Sequence, residues 1–161
     1  MAPAPVPWDE LAAHTPTVKR YRAKVYERGP DECWYWLSAI SSSGHGKIKA
    51  GPASRTVTSH RLGYAIEHGA LQRADDVVRH TCDESSCHNP SHWIAGARVD
   101  NIRDYYRRLH RTEHALSDVR LADGRAVAIR EAILTAQKTG ADVEAAIAAA
   151  IAEGYPQGTL F

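Results

Sequence analysis

No apolar run in this 161-residue chain approaches the roughly 20 residues that a membrane-spanning helix needs. Its start, MAPAPVPWDE, has neither the basic stretch nor the apolar stretch of a secretory signal. Both absences lead us to expect an intracellular, cytoplasmic protein, neither secreted nor attached to a membrane. Cysteine is scarce, at three residues. An odd number of thiols in a reducing compartment points to metal binding rather than to a disulfide. Methionine and phenylalanine occur once each, so seven Tyr and four Trp supply most of the large core side chains.

An excess of charge of one sign is also missing. The chain has 20 Lys and Arg against 19 Asp and Glu, a net charge of +1. That total argues against a polyanionic partner, but the distribution reverses the argument. Residues 1–111 hold 16 basic against 12 acidic residues, whereas residues 112–161 hold 4 against 7. The two parts therefore suit different partners. Arg outnumbers Lys 15 to 5. Guanidinium forks suit bidentate phosphate contact, although a GC-rich genome would produce the same bias.

The length fits one domain, or one domain with an appendage. Three segments emerge: an N-terminal arm and basic helix (1–30), a Cys/His-bearing core (31–111) and an acidic, Ala-rich helical extension (112–161). Pro3, Pro5 and Pro7 predict an extended start. Thr15-Pro16 reads as a cap with proline at the first helical position, opening a helix over 16–28 that Gly29-Pro30 ends. Its Lys19, Arg20, Arg22 and Lys24 face phosphate or solvent. CWYWLSAI (33–40) has strand composition, SSSGHG is a turn, and KIKA and RTVT are two short strands. A helix over 58–69 follows, with Leu62, Ala65 and Ile66 on one face. Strand 77–80 enters the Cys/His loop, residues 92–94 return from it, and a helix spans 98–110. Two further helices, 125–138 and 141–153, turn at Thr139-Gly140, the second with Val143, Ile147 and Ile151 at four-residue intervals. The expected class is α+β.

The densest chemistry lies between residues 80 and 101. It reads His80-Thr-Cys82, four residues, Cys87-His88-Asn89-Pro90-Ser-His92, and then Asn101. Cys82, Cys87 and His92 fit a structural zinc, with Zn–S near ~2.3 Å and Zn–N near ~2.0 Å. Four protein ligands are normal, and Cys33 is the natural fourth because thiolate is the softer ligand. His80, His88 and Asp83 compete for the place, and Cys33 could instead be buried beside Trp34 and Trp36. His80 ends a strand two residues before a ligand. A rigid neutral imidazole there, with one nitrogen oriented by a backbone carbonyl, can take a proton from water. The alternative is a purely structural histidine. Asn101 falls in the first turn of its helix, where an amide oxygen suits Mg²⁺ and the helix start favours phosphate. Alone, it would be an ordinary helix-start residue.

Taken together, HxCx₄CHNPxH followed by Asn101 resembles the His-Cys box of the HNH (ββα-metal) endonuclease superfamily. It is similar both to His-Cys box homing endonucleases and to phage-type HNH endonucleases. The upstream order CWYW, GHGKIKAGPASR, SHRLGYAIEHG extends the likeness over about residues 33–104. The resemblance implies a small ββα-metal core stabilised by one structural zinc on Cys33, Cys82, Cys87 and His92. It makes His80 the general base and Asn101 the ligand of a catalytic Mg²⁺. An arginine on the preceding strand would stabilise the phosphate transition state, Arg55 or else Arg61. Asn89 would brace the loop through backbone hydrogen bonds. Two departures stand out: no cysteine follows Cys87 to build a second zinc site, and Arg79 precedes His80 where many relatives carry an acidic metal ligand. Residues 105–161 match no pattern of the family.

The implied reaction is hydrolysis of double-stranded DNA, leaving a 5′-phosphate and a 3′-hydroxyl, in a protein of bacterial or phage origin. Lys47 and Lys49 on the 44–58 hairpin, Arg103 and Arg107 on the helix after the metal loop, and the 16–28 helix supply DNA contacts. The Val143, Ile147 and Ile151 stripe either packs onto the core or joins two copies into a homodimer. The alternative function is a non-catalytic, zinc-stabilised DNA-binding module.

Overall fold

A computed structural model describes residues 4–111 and 113–156 of the chain. Among them are six α-helices and three small antiparallel hairpins, an α+β fold. Helices α1 (Trp8–Ala13) and α2 (Thr15–Arg22) lead into the first hairpin, β1 (Val25–Tyr26) with β2 (Tyr35–Trp36). The second hairpin, β3 (Lys47–Ala50) with β4 (Arg55–Thr58), runs directly into α3 (Ser59–His68). The third, β5 (Asp76–His80) with β6 (Trp93–Ala97), runs directly into α4 (Arg98–Arg108). A helical hairpin, α5 (Leu121–Thr139) and α6 (Val143–Glu153), closes the described chain.

Two local expectations are corrected, and one helix has no counterpart in the sequence reading. That helix is α1, which starts after Pro7 with Asp9 and Glu10 in its first turn and buries Leu11 in the core. Acidic side chains there favour a helix start. The basic helix ends at Arg22 rather than at 28, because Val25 and Tyr26 pair with Trp36 and Tyr35, and the Leu37 amide donates to the Lys24 carbonyl at 2.8 Å. Lys24 and Arg28 are therefore not helical. The strand expected over 33–40 shrinks to Tyr35–Trp36, with Ile40 bridging Gly46 beyond it.

Tyr35 and Trp36 are adjacent strand residues, so their side chains leave on opposite faces. Each enters a different core. Trp36 packs with Leu11, Tyr21, Ile48, Ala50, Val57 and Leu62. Tyr35 packs with Ile129, Ile133, Ile147 and Ala150 from the helical hairpin. The Val143, Ile147 and Ile151 stripe thus faces its own chain, and Ile147 is only 1% exposed. Gly44 marks a close approach of the same hairpin. Its φ of 79° disfavours side chains, and a Cβ there would lie 2.7 Å from the Ala122 carbonyl oxygen. No helix among the described residues is long and apolar enough to cross a membrane.

Candidate metal centre and histidine cluster

The third hairpin is the frame of the site. Antiparallel pairing carries His80 opposite Trp93, so the loop between them starts and ends on a rigid ladder. Within that loop the Cys87 amide donates to the Glu84 carbonyl at 3.0 Å, and Tyr35 of β2 bridges Cys87. Cys33, just before β2, is thereby brought to the loop. The ligand atoms of Cys33, Cys82, Cys87 and His92 all lie within 4.8 Å of one another and can hold a metal ion such as zinc. His92 Nδ1 lies 3.4 Å from Cys87 Sγ and 3.8 Å from Cys33 Sγ. A tetrahedral zinc would set sulfur and nitrogen ligands roughly 3.6 Å apart, from the usual bond lengths. Hydrogen bonding from the Cys33 and Cys87 sulfurs pulls the Cys82 thiol well below its ordinary value, so this group is prepared to be a thiolate.

The three competitors for the fourth place lie elsewhere. His88 is fully occupied: Ser59 Oγ bonds its Nε2 at 2.8 Å, Nδ1 donates to the Ser86 carbonyl at 2.9 Å, and the ring stacks on Trp36. Asp83 meets Arg108 at 2.9 Å. His80 spends its Nε2 on the Cys87 carbonyl, as described next.

Asn89 is hydrogen-bonded through both ends of its amide. Its amide nitrogen donates to the Pro30 and Glu32 carbonyls, both at 2.8 Å, and its Oδ1 accepts from the Ser91 amide at 3.0 Å and the Ser91 hydroxyl at 2.7 Å. One side chain ties the metal loop to the segment that carries Cys33.

His80 is buried at the end of β5, with Nε2 3.0 Å from the Cys87 carbonyl oxygen. A carbonyl only accepts, so Nε2 carries the proton and Nδ1 carries the lone pair. Two more imidazoles share the space. The His60 ring centroid lies 5.1 Å from that of His80, and His45 lies 4.6 Å from His60 and 5.9 Å from His80. Burial lowers the pKa of all three, His45 to about 4, which keeps them neutral near pH 7. His60 Nδ1 is buried without a hydrogen-bond partner. His45 and His60 carry no role in the sequence reading. Their only signals were a histidine inside the GHG turn and another at a helix start, and the β3–β4 hairpin is what delivers both to His80.

Asn101 is exposed in the first turn of α4. Asp104, three residues on and hence on the same helix face, meets Arg79 of β5 at 2.5 Å. The two expected arginines are engaged elsewhere. Arg55 donates to the Pro5 carbonyl at 2.9 Å and to the Ala4 carbonyl at 2.5 Å, and Arg61 lies over the Trp8 ring at 4.9 Å. Among the expected DNA contacts, Arg20, Lys24, Lys47 and Lys49 gather around one cleft. Arg22 instead pairs with Glu67 at 2.7 Å, Lys19 does not line the cleft, and Arg103 and Arg107 project from α4 with Arg103 3.4 Å from Asp100.

The helical hairpin reaches the metal loop through a contact with no sequence signal. Arg125 of α5 meets Glu84 at 2.6 Å and Asp118 at 3.2 Å, with all three side chains buried. Glu84 lies between Cys82 and Cys87 and also accepts from the Ser86 hydroxyl at 3.0 Å.

No protein-family model matches the chain, and no solved structure matches it. It is similar to two proteins of Escherichia phage T7. Protein 7.7 is 26% identical over 110 residues, covering 68% of this chain and 82% of that protein. Protein 2.8 is 30% identical over 83 residues, 52% of this chain, which spans about half of that protein's length (53%).

Proposed function

We propose that the chain is a phage-type DNA endonuclease with a ββα-metal core. In this reading zinc bound by Cys33, Cys82, Cys87 and His92 is structural, and His80 is the general base. The observation that carries the reading is the orientation of His80. Its Nε2 faces the Cys87 carbonyl at 3.0 Å, which leaves Nδ1 free to accept a proton. Cys87 is also a metal-cluster residue, so the loop that would hold zinc aims the base. Both relatives are phage proteins, which fits a phage-encoded chain.

His80 Nδ1 takes a proton from water as the water oxygen attacks phosphorus in line. The bond between phosphorus and the 3′ oxygen breaks, and the departing oxygen takes a proton from solvent, leaving a 5′-phosphate and a 3′-hydroxyl. Asn101 offers an exposed amide oxygen at a helix start, a hard donor that fits Mg²⁺. Such an ion, when bound, supplies Lewis-acid stabilisation of the charge that develops on the leaving oxygen. Arg55 is committed to the N-terminal arm, so its assignment as the transition-state cation would require it to leave Ala4 and Pro5.

The test is nicking of supercoiled plasmid with and without added Mg²⁺, by the wild-type chain and by His80→Ala. Wild type should nick only with the ion. His80→Ala should lose about 10²–10⁴-fold in rate while keeping its zinc and its DNA affinity. Equal nicking by a folded His80→Ala overturns the assignment. DNA binding without nicking by the wild type would instead favour a non-catalytic, zinc-stabilised binding module.

A further inference from the structure

The cleft between α2 and the β3–β4 hairpin has a volume of about 370 Å³ and is lined by Arg20, Lys24, Lys47, Lys49, Ser38 and Thr56, among others. Burial alternates along β3: Ile48 and Ala50 lie in the core, and Lys47 and Lys49 face the other way. Residues two apart on a strand are separated by about 6.8 Å, a spacing comparable to that of successive phosphates along one nucleic-acid strand. The other two cations are held in place. Arg20 donates to the Lys49 carbonyl at 2.7 Å, and Lys24 donates to the Ser38 hydroxyl at 2.8 Å. None of the four has a carboxylate partner among the described residues. Among the described residues their charge is therefore unneutralised, unlike that of Arg22. Lys47 opens β3 two residues after His45, which belongs to the histidine cluster, so this end of the cleft adjoins that cluster.

We infer that this cleft holds the phosphates of one nucleic-acid strand where it leaves the histidine cluster, with Lys47 nearest the reacting centre and Lys49 and Arg20 beyond it. The inference rests on the nuclease reading for the direction of the strand, but binding tests it without cleavage. Fluorescence anisotropy with a labelled DNA duplex, repeated with an RNA duplex of the same sequence, is measured against salt in the His80→Ala background. Lys47→Gln with Lys49→Gln should weaken binding of either duplex about tenfold or more at low salt. It should also reduce the slope of log affinity against log salt by about 2, since each lost phosphate contact removes about 0.9. Arg22→Gln, whose parent side chain is paired with Glu67, should leave the slope unchanged. An unaltered slope in the folded double variant overturns the inference even if the wild-type chain cleaves DNA. Displacement of the duplex by poly-glutamate at equal charge would also overturn it, assigning the cleft to an acidic protein segment. A slope that falls as stated upholds the cleft even if no nicking is ever found.

Discussion

The Arg125 guanidinium meets the Glu84 carboxylate at 2.6 Å, and the side chains are 7% and 3% exposed. The contact joins the acidic C-terminal extension to the loop between two cysteines of the metal cluster. A buried charge that loses its partner costs about 3–5 kcal/mol. Arg125→Ala strands Glu84 and removes one partner of Asp118, so urea unfolding should show a loss of that size. Arg125→Met combined with Glu84→Gln should recover part of it, because no carboxylate is then left beside the missing cation at position 84. A loss below about 1 kcal/mol in the single variant would mean that the extension is independent of the loop.

The orientation of His80 predicts its tautomer. With Nε2 donating to Cys87, nitrogen-15 spectra at neutral pH should show a protonated Nε2 and an unprotonated Nδ1. The opposite tautomer would leave no lone pair on the free nitrogen and would remove the basis for proton abstraction there.

One zinc ion should remain with each chain after dialysis, and a strong chelator should unfold the protein. Structural zinc contributes on the order of 10 kcal/mol or more to small domains of this kind, comparable to their whole stability. Cys33→Ser should lose the ion as completely as Cys87→Ser, because the four ligand atoms form one cluster. Metal content unchanged in Cys33→Ser would remove this residue from the site.

The metal cluster was legible in the sequence because three of its ligands share one loop and thiols are few. Cys33 is favoured over His80, His88 and Asp83 only as the softer ligand, and the pairing that brings it to the loop decides the choice. The brace by Asn89 is implied by the resemblance to the HNH pattern and not by its spacing alone. His45 and His60 were not legible. Nothing local marks either one, and only the register of β3 with β4 and the run into α3 carry them to His80. The same tertiary cause hid Arg125 and Glu84, two ordinary charged residues until the helical hairpin is docked. The basic pattern of α2 continues through Lys24 and Arg28, whereas pairing of Val25 and Tyr26 decides where the helix stops.

His45 should make the fold acid-sensitive in a defined window. Burial, with the charges of His80 and Lys47, lowers its pKa from 6.5 to about 4. The unfolded chain therefore takes up this proton first as pH falls, and the linked stability is lost from about pH 6.5 down to about pH 4. Each pH step of one in that window costs about 1.4 kcal/mol. His45→Asn should be less acid-sensitive than wild type by about 3 kcal/mol at pH 4, read as the difference between two urea curves measured together. Parallel losses in the two proteins would show that His45 does not titrate as its burial implies.

The apolar stripe of α6 separates two accounts of the extension. Ile147 is 1% exposed and packs against Tyr35, Ile129 and Ile133 of its own chain. Truncating a side chain in such a position costs about 2–5 kcal/mol through lost burial and the cavity left behind. Ile147→Ala should therefore lower the unfolding free energy by that amount and shift the midpoint equally at every protein concentration, with no change in molecular mass by light scattering. If the stripe joined two copies, the same variant would shift the mass towards monomer, and its midpoint would depend on concentration. Removing residues 112–161 is the harsher test of the same packing. It uncovers Tyr35, strands Glu84 and takes Glu144 from Arg28, which it meets at 2.6 Å. A chain ending at Arg111 should lose cooperative unfolding. Retention of a sharp transition there would show that the second core, despite its buried isoleucines, does not hold up the first.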